Sequence, residues 1–240
     1  MSGPVVSIII PSFRSAATIS GALKSAAQQT ISHEILLIDG SGDQDTRNAV
    51  AAAGVIPDAW ISEPDSGVYD AINKGIARSR GEWIYVLGAD DELAAPDVFE
   101  RLLACREQNT RLLLGNVSNI ERVHAGVPAV HKSRLTSRIF LYNTVHQQGA
   151  LYHRSLFDRA AFNTSYKILG DYDFHLALFA ERVPWKYTDV SVSRCRAGGL
   201  SKQFVKSLYL EELAIKRARK TPLRALTWLK YIYKKITSLL

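Results

Sequence analysis

Short, mostly apolar runs alternate with stretches of helical spacing through the first ninety or so residues. Val5–Ile10 stops at Pro11, Glu34–Ile38 stops at Asp39, and Ala59–Ile61 and Glu82–Leu87 follow. Runs of this length between turn formers read as strands, and unbroken apolar character reads as burial on both faces. The intervening segments read as helices. One runs from about Thr18 to Gln29, and a second from about Asp45 to Ala53 is closed by Gly54. In the third, Val68, Ile72, Gly75, Ile76 and Ser79 share one face. The β-α-β-α-β-α-β alternation with short connections predicts a Rossmann-like, mostly parallel sheet covered by helices.

After Leu93 the rhythm loosens. Pro96 is expected to open a helix reaching about Glu107, followed by a strand at Leu112–Val117 and an irregular basic stretch at Ser118–Asn143. Gly149–His153 and Lys186–Arg194 read as further strands, with a helix at Asp171–Phe179 between them. The expected organisation is one catalytic domain over residues 1–202, its halves at 1–93 and 94–202 sharing one sheet, and a helical tail over 203–240.

Charge singles out the tail. From Ser201 to Leu240 there are ten Lys or Arg against two Glu, a net +8 in a chain of net +7, so the first 200 residues sum to −1. A nucleic-acid binder would more often spread its basic residues over the folded domain, so no nucleic-acid partner is expected. Within 222–240, Leu226, Leu229, Ile232, Tyr233, Ile236, Leu239 and Leu240 fall on one half of a helical wheel, and Arg224, Lys230, Lys234 and Lys235 on the other. Such a basic amphipathic helix suits the interface of an anionic membrane, although the spacing also allows pairing with a second copy, giving a homodimer. The two cysteines show no framework spacing, the first apolar run ends too early for a signal peptide, and no stretch is long enough to span a bilayer. The expected location is cytoplasmic, peripheral on the inner face of the cytoplasmic membrane.

Candidate chemistry gathers where strands run out, since ligands of open α/β sheets bind beyond the carboxyl ends of the strands. Asp90 and Asp91 follow the Glu82–Leu87 strand, and Asp39 ends another. Paired carboxylates there suit Mg²⁺ or Mn²⁺, which take substrate phosphates as further ligands, and equally suit a solvated turn before a helix. Asp39 opens a Gly/Ser/Asp turn and could also accept hydrogen bonds from a base or ribose. Asp65, Gly67, Tyr69, Asp70, Asn73 and Lys74 form a polar cluster at a helix start, in which Asp70 and Lys74 are spaced as a surface ion pair.

Several segments together, VSIIIPSF, LLIDGSGDQDT, SEPDSGVYDAINKGIARSRGEWIYVLGADDEL, HQQGALYHRSLF and GDYDFHLAL, resemble bacterial family 2 glycosyltransferases of the GT-A fold, of the exopolysaccharide, capsule and O-antigen type. The resemblance spans roughly Val5 to Lys202. It implies inverting transfer of a sugar from a nucleotide diphosphate donor, UDP favoured, to a saccharide acceptor, commonly linked to polyprenyl diphosphate. It places Pro11, Ser12, Phe13, Asp39, Asp65, Gly67, Tyr69, Asn73, Lys74 and Asp90 at the donor, and Asp91 on a divalent metal, Mn²⁺ or Mg²⁺. The family's acidic residue two places before the pair is here Gly88, which thins the metal site. Asp171 matches the catalytic base, with Gly170 in place of the family's Glu and Asp173 as the alternative acid. His146 and Lys202 are expected near the acceptor or diphosphate. The competing readings are a membrane-associated binding protein on a decayed transferase fold and a sugar-phosphate nucleotidyltransferase. The second would need a Gly-rich loop with a basic residue after the first strand, which PSFRSAATIS lacks.

Overall fold

In a computed structural model of the protein, the described residues are 3–120, 129–158, 160–196 and 206–222, with 226, 227, 229 and 232 beyond them. One sheet organises them. Its strands are β1 (Val6–Ser12), β2 (His33–Asp39), β3 (Ala59–Ser62), β4 (Trp83–Val86), β5 (Glu92–Leu93), β6 (Leu112–Asn119), β7 (Val130–Lys132), β8 (Ala150–His153) and β9 (Trp185–Cys195). They lie in the order β3-β2-β1-β4-β8-β6-β9-β5, with β7 paired to β6. The helices are α1 (Ile19–Ala27), α2 (Gln44–Ala53), α3 (Val68–Arg78), α4 (Val98–Ala104), α5 (Gly170–Ala180) and α6 (Lys206–Ala218).

The apolar runs become strands because both faces are covered. Val6, Ile8 and Ile10 of β1 enter one core cluster with Ile19 and Leu23 of α1 and Phe99 of α4. Ile9, between them, enters the other with Ile72 of α3, Phe174 of α5 and Ile215 of α6. This strict alternation fixes the strand register, since a slip of one residue would exchange the two faces. The β1–β4 half is parallel throughout. The second half joins through antiparallel β8, and β6 and β9 run parallel to each other.

Details differ from expectation where local signals were short. Pro96 does not open α4. Asp97 is the N-cap, and the Pro96 carbonyl instead accepts the Thr30 N–H, tying the segment before α4 to the turn after α1. β5 and β7 are too brief for periodicity to reveal. The α6 segment, expected as tail, packs into the domain: Tyr209, Leu213 and Ile215 are buried on it. The expected helix at 222–240 lies mostly outside the described residues. Among the described residues, no helix is long and apolar enough to cross a membrane.

Candidate active site

The carboxyl ends of β1 and β4 and the start of α5 face one cavity of about 750 Å³, a size suited to a small-molecule ligand. Pro11, Phe13, Tyr69, Asp90, His146 and Asp171 line it. The sequence-predicted residues drawn from the first strand, the third helix, the fourth strand and the fifth helix are thus brought to one place.

Asp171 sits in the first turn of α5, partly open to the cavity yet deep in the protein. Its Oδ2 accepts from Asn143 Nδ2 (2.9 Å) and its Oδ1 from the Tyr69 hydroxyl (3.1 Å). Burial pushes its pKa up to about 6, against the lowering pull of hydrogen bonds from the α5 backbone, Tyr69 and Asn143. A carboxyl tuned to that range suits proton uptake near neutral pH. Gly170, before it, has a packing reason. A Cβ there would lie 2.8 Å from the Tyr69 ring, so a side chain would displace the group that donates to Asp171.

The two carboxylates after β4 divide their roles. Asp90 is exposed and lines the cavity. Asp91 is 5% exposed, and its Oδ1 accepts the Arg196 N–H (3.1 Å). Both lean over Gly88, where a Cβ would stand 2.6 Å from Asp91 Oδ2 and 3.0 Å from Asp90 Oδ1. Two hard oxygens meeting above a bare glycine fit a divalent cation that draws its remaining ligands from phosphate and water. They do not form a full protein cage, and among the described residues no group of three His, Cys, Asp or Glu could hold a metal.

Other expected donor residues are used elsewhere. Asp39 is fully buried and accepts from Ser41 N, Ser41 Oγ, Gly42 N and Ser62 Oγ, so its carboxylate is committed to its own turn and not presented to the cavity. Ser12 pairs with Asp39 across β1–β2 and is buried behind the cavity wall. Asp65 folds over Gly40 and accepts the Gly67 N–H, joining the turns after β2 and β3. Gly67 itself holds φ at 126°, which favours glycine, and this lets the chain enter α3 so that Val68 and Tyr69 reach the cavity. Asn73 exchanges hydrogen bonds with the Phe162 backbone, and Lys74 pairs with Glu63 and Asp70; neither lines the cavity. Asp173 is gripped by Arg219 through two bonds (2.7 and 2.8 Å), which removes it as an alternative base. Lys202 lies outside the described residues.

Sequence reasoning missed Arg14, Lys167 and Asn143, all on the cavity wall. Arg14 adopts a positive φ of 51° at the rim, and Lys167 Nζ is held by the carbonyls of Ser66 and Thr164. The PSFR segment contained the signal for Arg14, a cation just after a strand end; nothing local marked the other two.

The model of glycosyl transferase family 2 matches residues 7–169. The chain belongs to glycosyl transferase family 2. A PGL/p-HBAD biosynthesis glycosyltransferase of Mycobacterium bovis is 32% identical over 222 residues, covering 89% of this chain and 85% of the relative. Among solved structures, residues 1–349 of S. aureus TarS in complex with UDP-GlcNAc superpose with a TM-score of 0.68 at 17% identity, over 95% of this chain and 71% of that 1–349 chain. The mannosyltransferase PcManGT of Pyrobaculum calidifontis, in complex with GDP-Man and Mn²⁺, gives 0.61 at 16% identity, over 96% and 70%. The fold of this family 2 glycosyltransferase is therefore GT-A, and the family match stops just short of Asp171.

Proposed function

We propose that this glycosyltransferase moves a sugar from a nucleotide diphosphate donor, UDP favoured, to a hydroxyl of a saccharide acceptor with inversion, and that Asp171 is its base. The observation that carries this reading is the Asp171 carboxylate, raised by burial to about 6 and opening on the same cavity as Asp90. The donor class is supported by the nucleotide sugars bound to TarS and PcManGT.

An acceptor hydroxyl is a poor nucleophile until its proton has somewhere to go. As its oxygen bonds to the anomeric carbon, the proton passes to Asp171, and the bond from that carbon to the phosphate oxygen breaks, its electron pair leaving with the nucleotide diphosphate. Attack and departure on opposite faces give inversion in one displacement, with no covalent intermediate. Asp90 and Asp91, leaning over Gly88, would hold Mn²⁺ or Mg²⁺, and such an ion supplies positive charge for the departing diphosphate. Arg14 and Lys167 add cationic charge to the cavity wall. His146 stands on the same wall, toward the acceptor in this reading.

The acceptor is proposed to be lipid-linked, in surface polysaccharide biosynthesis, with the enzyme peripheral on the inner face of the cytoplasmic membrane. In support, Leu226, Leu229 and Ile232, three residues of the expected apolar face, are 43%, 62% and 49% exposed, while Thr227 is buried and accepts a hydrogen bond from Lys216. Vesicles containing anionic lipid should bind the full chain and lose it when those three residues become serine; unchanged binding would sink the membrane reading.

For the donor, the direct test is thermal shift against nucleotide sugars with and without Mn²⁺, because a ligand that binds only the folded state raises Tm. A shift by one or more nucleotide diphosphate sugars, enlarged by Mn²⁺, is expected. No shift by any of them would refute the reading.

A further inference from the structure

His175 and Asn143 form a hydrogen-bonded column that runs from the protein interior at His175 to the cavity wall at Asn143, beside the base. His175 is fully buried on α5, its Nε2 2.7 Å from the Tyr152 hydroxyl and its Nδ1 3.3 Å from Asn143 Oδ1. Asn143 Oδ1 also faces the Val145 N–H (3.3 Å), and its Nδ2 faces Asp171 Oδ2 (2.9 Å). The direction of every bond follows from these neighbours. A backbone N–H can only donate, so the Asn143 atom beside Val145 is the carbonyl oxygen, and the amide nitrogen is left for the carboxylate. The carbonyl oxygen needs a donor from His175, so Nδ1 carries the hydrogen. Nε2 is then a bare lone pair, and Tyr152 donates to it.

On the reading that Asp171 is the base, we infer that Asn143, locked by His175 and Tyr152, is a positioning residue that reserves Asp171 Oδ1 as the oxygen receiving the proton. Asn143 Nδ2–H cannot reverse its direction, so Oδ2 accepts from it both before and after transfer and becomes the carbonyl oxygen of the neutral acid. Oδ1 differs. Its donor is the Tyr69 hydroxyl, which stands 2.9 Å from the Ile168 carbonyl as well as 3.1 Å from Oδ1. One hydrogen cannot serve both acceptors fully. While Asp171 is charged it turns to Oδ1; once Oδ1 has taken the acceptor's proton it turns to Ile168. The hydroxyl rotates, no heavy atom need move, and charge and protons balance: the acceptor loses one proton and Oδ1 gains it.

The titratable groups around Asp171 leave this assignment in place. Tyr69 from α3 and Tyr152 from β8 stay neutral because burial pushes both phenols well up. His175 is neutral as well, burial and then His146 pushing it down to about 3. Round the cavity stand Asp90, His131, His146, Arg14, Lys167 and Glu212. None of these lies between Asn143 and Asp171.

Two experiments test the column. In Asn143→Ala the carboxyl loses a donor that favours its charged form, so the acid limb of the kcat profile should move up by roughly half a unit to one unit of pH. The value of kcat should fall about tenfold, the rate equivalent of one hydrogen bond, with donor Kd unchanged. His175→Phe should do the same more weakly. A folded Asn143→Ala enzyme whose acid limb stays at the parental pH overturns the inference. Nitrogen NMR of the unmodified enzyme, which needs neither turnover nor a variant, should find His175 protonated at Nδ1 alone from about pH 5 to 8; protonation at Nε2 overturns it too. Normal transfer by Asp171→Asn would instead defeat the underlying base assignment, so the two failures are distinguishable.

Discussion

The turn after β2 and the start of α5 finish their carboxylates in opposite ways. After β2, Asp39 is satisfied by Ser41, Gly42 and Ser62, and Asp43 by Ser41 and Thr46, whose hydrogen bonds hold the Asp43 carboxyl down at about 2. At the start of α5, Asp171 draws its side-chain donors from Asn143 and Tyr69, 28 and 102 residues away, and burial wins over them. A carboxylate closed by nearby donors shapes the backbone, and at Asp43 those donors favour the charged form. One buried at a helix start, where desolvation outweighs both its local backbone donors and its distant side-chain donors, stays high in pKa and open to a ligand. The difference separates structural acids from reactive ones better than their position at strand or helix ends does.

The largest test of that contrast is Asp171→Asn. Without a proton acceptor, transfer should fall by about 10³-fold, while donor binding, followed by thermal shift, persists. Burial already disfavours charge at this site, so the substitution should not lower Tm above pH 6. Retained transfer would place the chemistry elsewhere and erase the distinction between the two regions.

Gly170→Glu, which restores the residue the family carries, comes next. Its Cβ would meet the Tyr69 ring, so the ring must move and Asp171 loses its Oδ1 donor. A fall in kcat of roughly 10²-fold is expected, the sum of a lost hydrogen bond and a misplaced base. A more active variant would show that Tyr69 does not serve Asp171.

The pH profile gives a smaller and graded effect. Asp171 works as a base only when deprotonated, so kcat should rise through about pH 6 and level off above it. Linkage has the opposite sign for stability. The folded state binds this proton more tightly than the unfolded chain, so between the ordinary aspartate range and about 6 the contribution of Asp171 to stability declines as pH rises. Activity and stability should therefore move in opposite directions through that window. An acid limb near the ordinary aspartate value would contradict the burial argument.

Asp39→Ala addresses the other region. It removes the acceptor that pins Ser41 and Gly42, and should cost about 2 kcal/mol of stability through unpaired donors. The folded enzyme should keep its donor KM within about twofold. A large rise in donor KM with little loss of Tm would return Asp39 to the nucleotide.

The half of the fold that was legible in the sequence is the half built from local signals. Val6, Ile8 and Ile10 against Ile9, and the Gly54 cap at φ 70°, carry their structure in neighbouring residues. The place of Asp171 at the cavity was expected through resemblance, and that of Asp90 through its position after a buried strand. Asn143 was not: it lay in a stretch without periodicity, and its place at the cavity comes from Asp171 and His175 of α5 and the turn at Val145 meeting around it. α6 was hidden for a related reason. Its charge suggested a tail, yet Lys216 is buried against Glu212 and the Leu141 carbonyl, and Glu211 accepts backbone N–H groups of Lys167 and Ile168 at the threshold of α5. A cation or acid committed to a partner far along the chain looks identical, in sequence, to one left in water.

Lys74 is the smallest test and the one that separates these cases most cleanly. It sits one helix turn beyond Asp70 in the motif expected at the donor, but its Nζ lies 3.1 Å from Glu63 and 3.6 Å from Asp70, on partly solvated side chains. Hydrogen bonding to Glu63, ahead of the charges of Asp70 and Glu63, raises its pKa, so it stays a cation at any assay pH. Exposed pairs of this kind contribute well under about 1 kcal/mol once solvent screening is counted. Lys74→Met should therefore leave kcat and donor KM within about twofold and move Tm by no more than a degree or two. If donor KM instead rose tenfold, with Tm unmoved, Lys74 would have to leave Glu63 and Asp70 when the diphosphate arrives. The cavity wall would then include a cation that its ion pairs with Glu63 and Asp70 direct elsewhere.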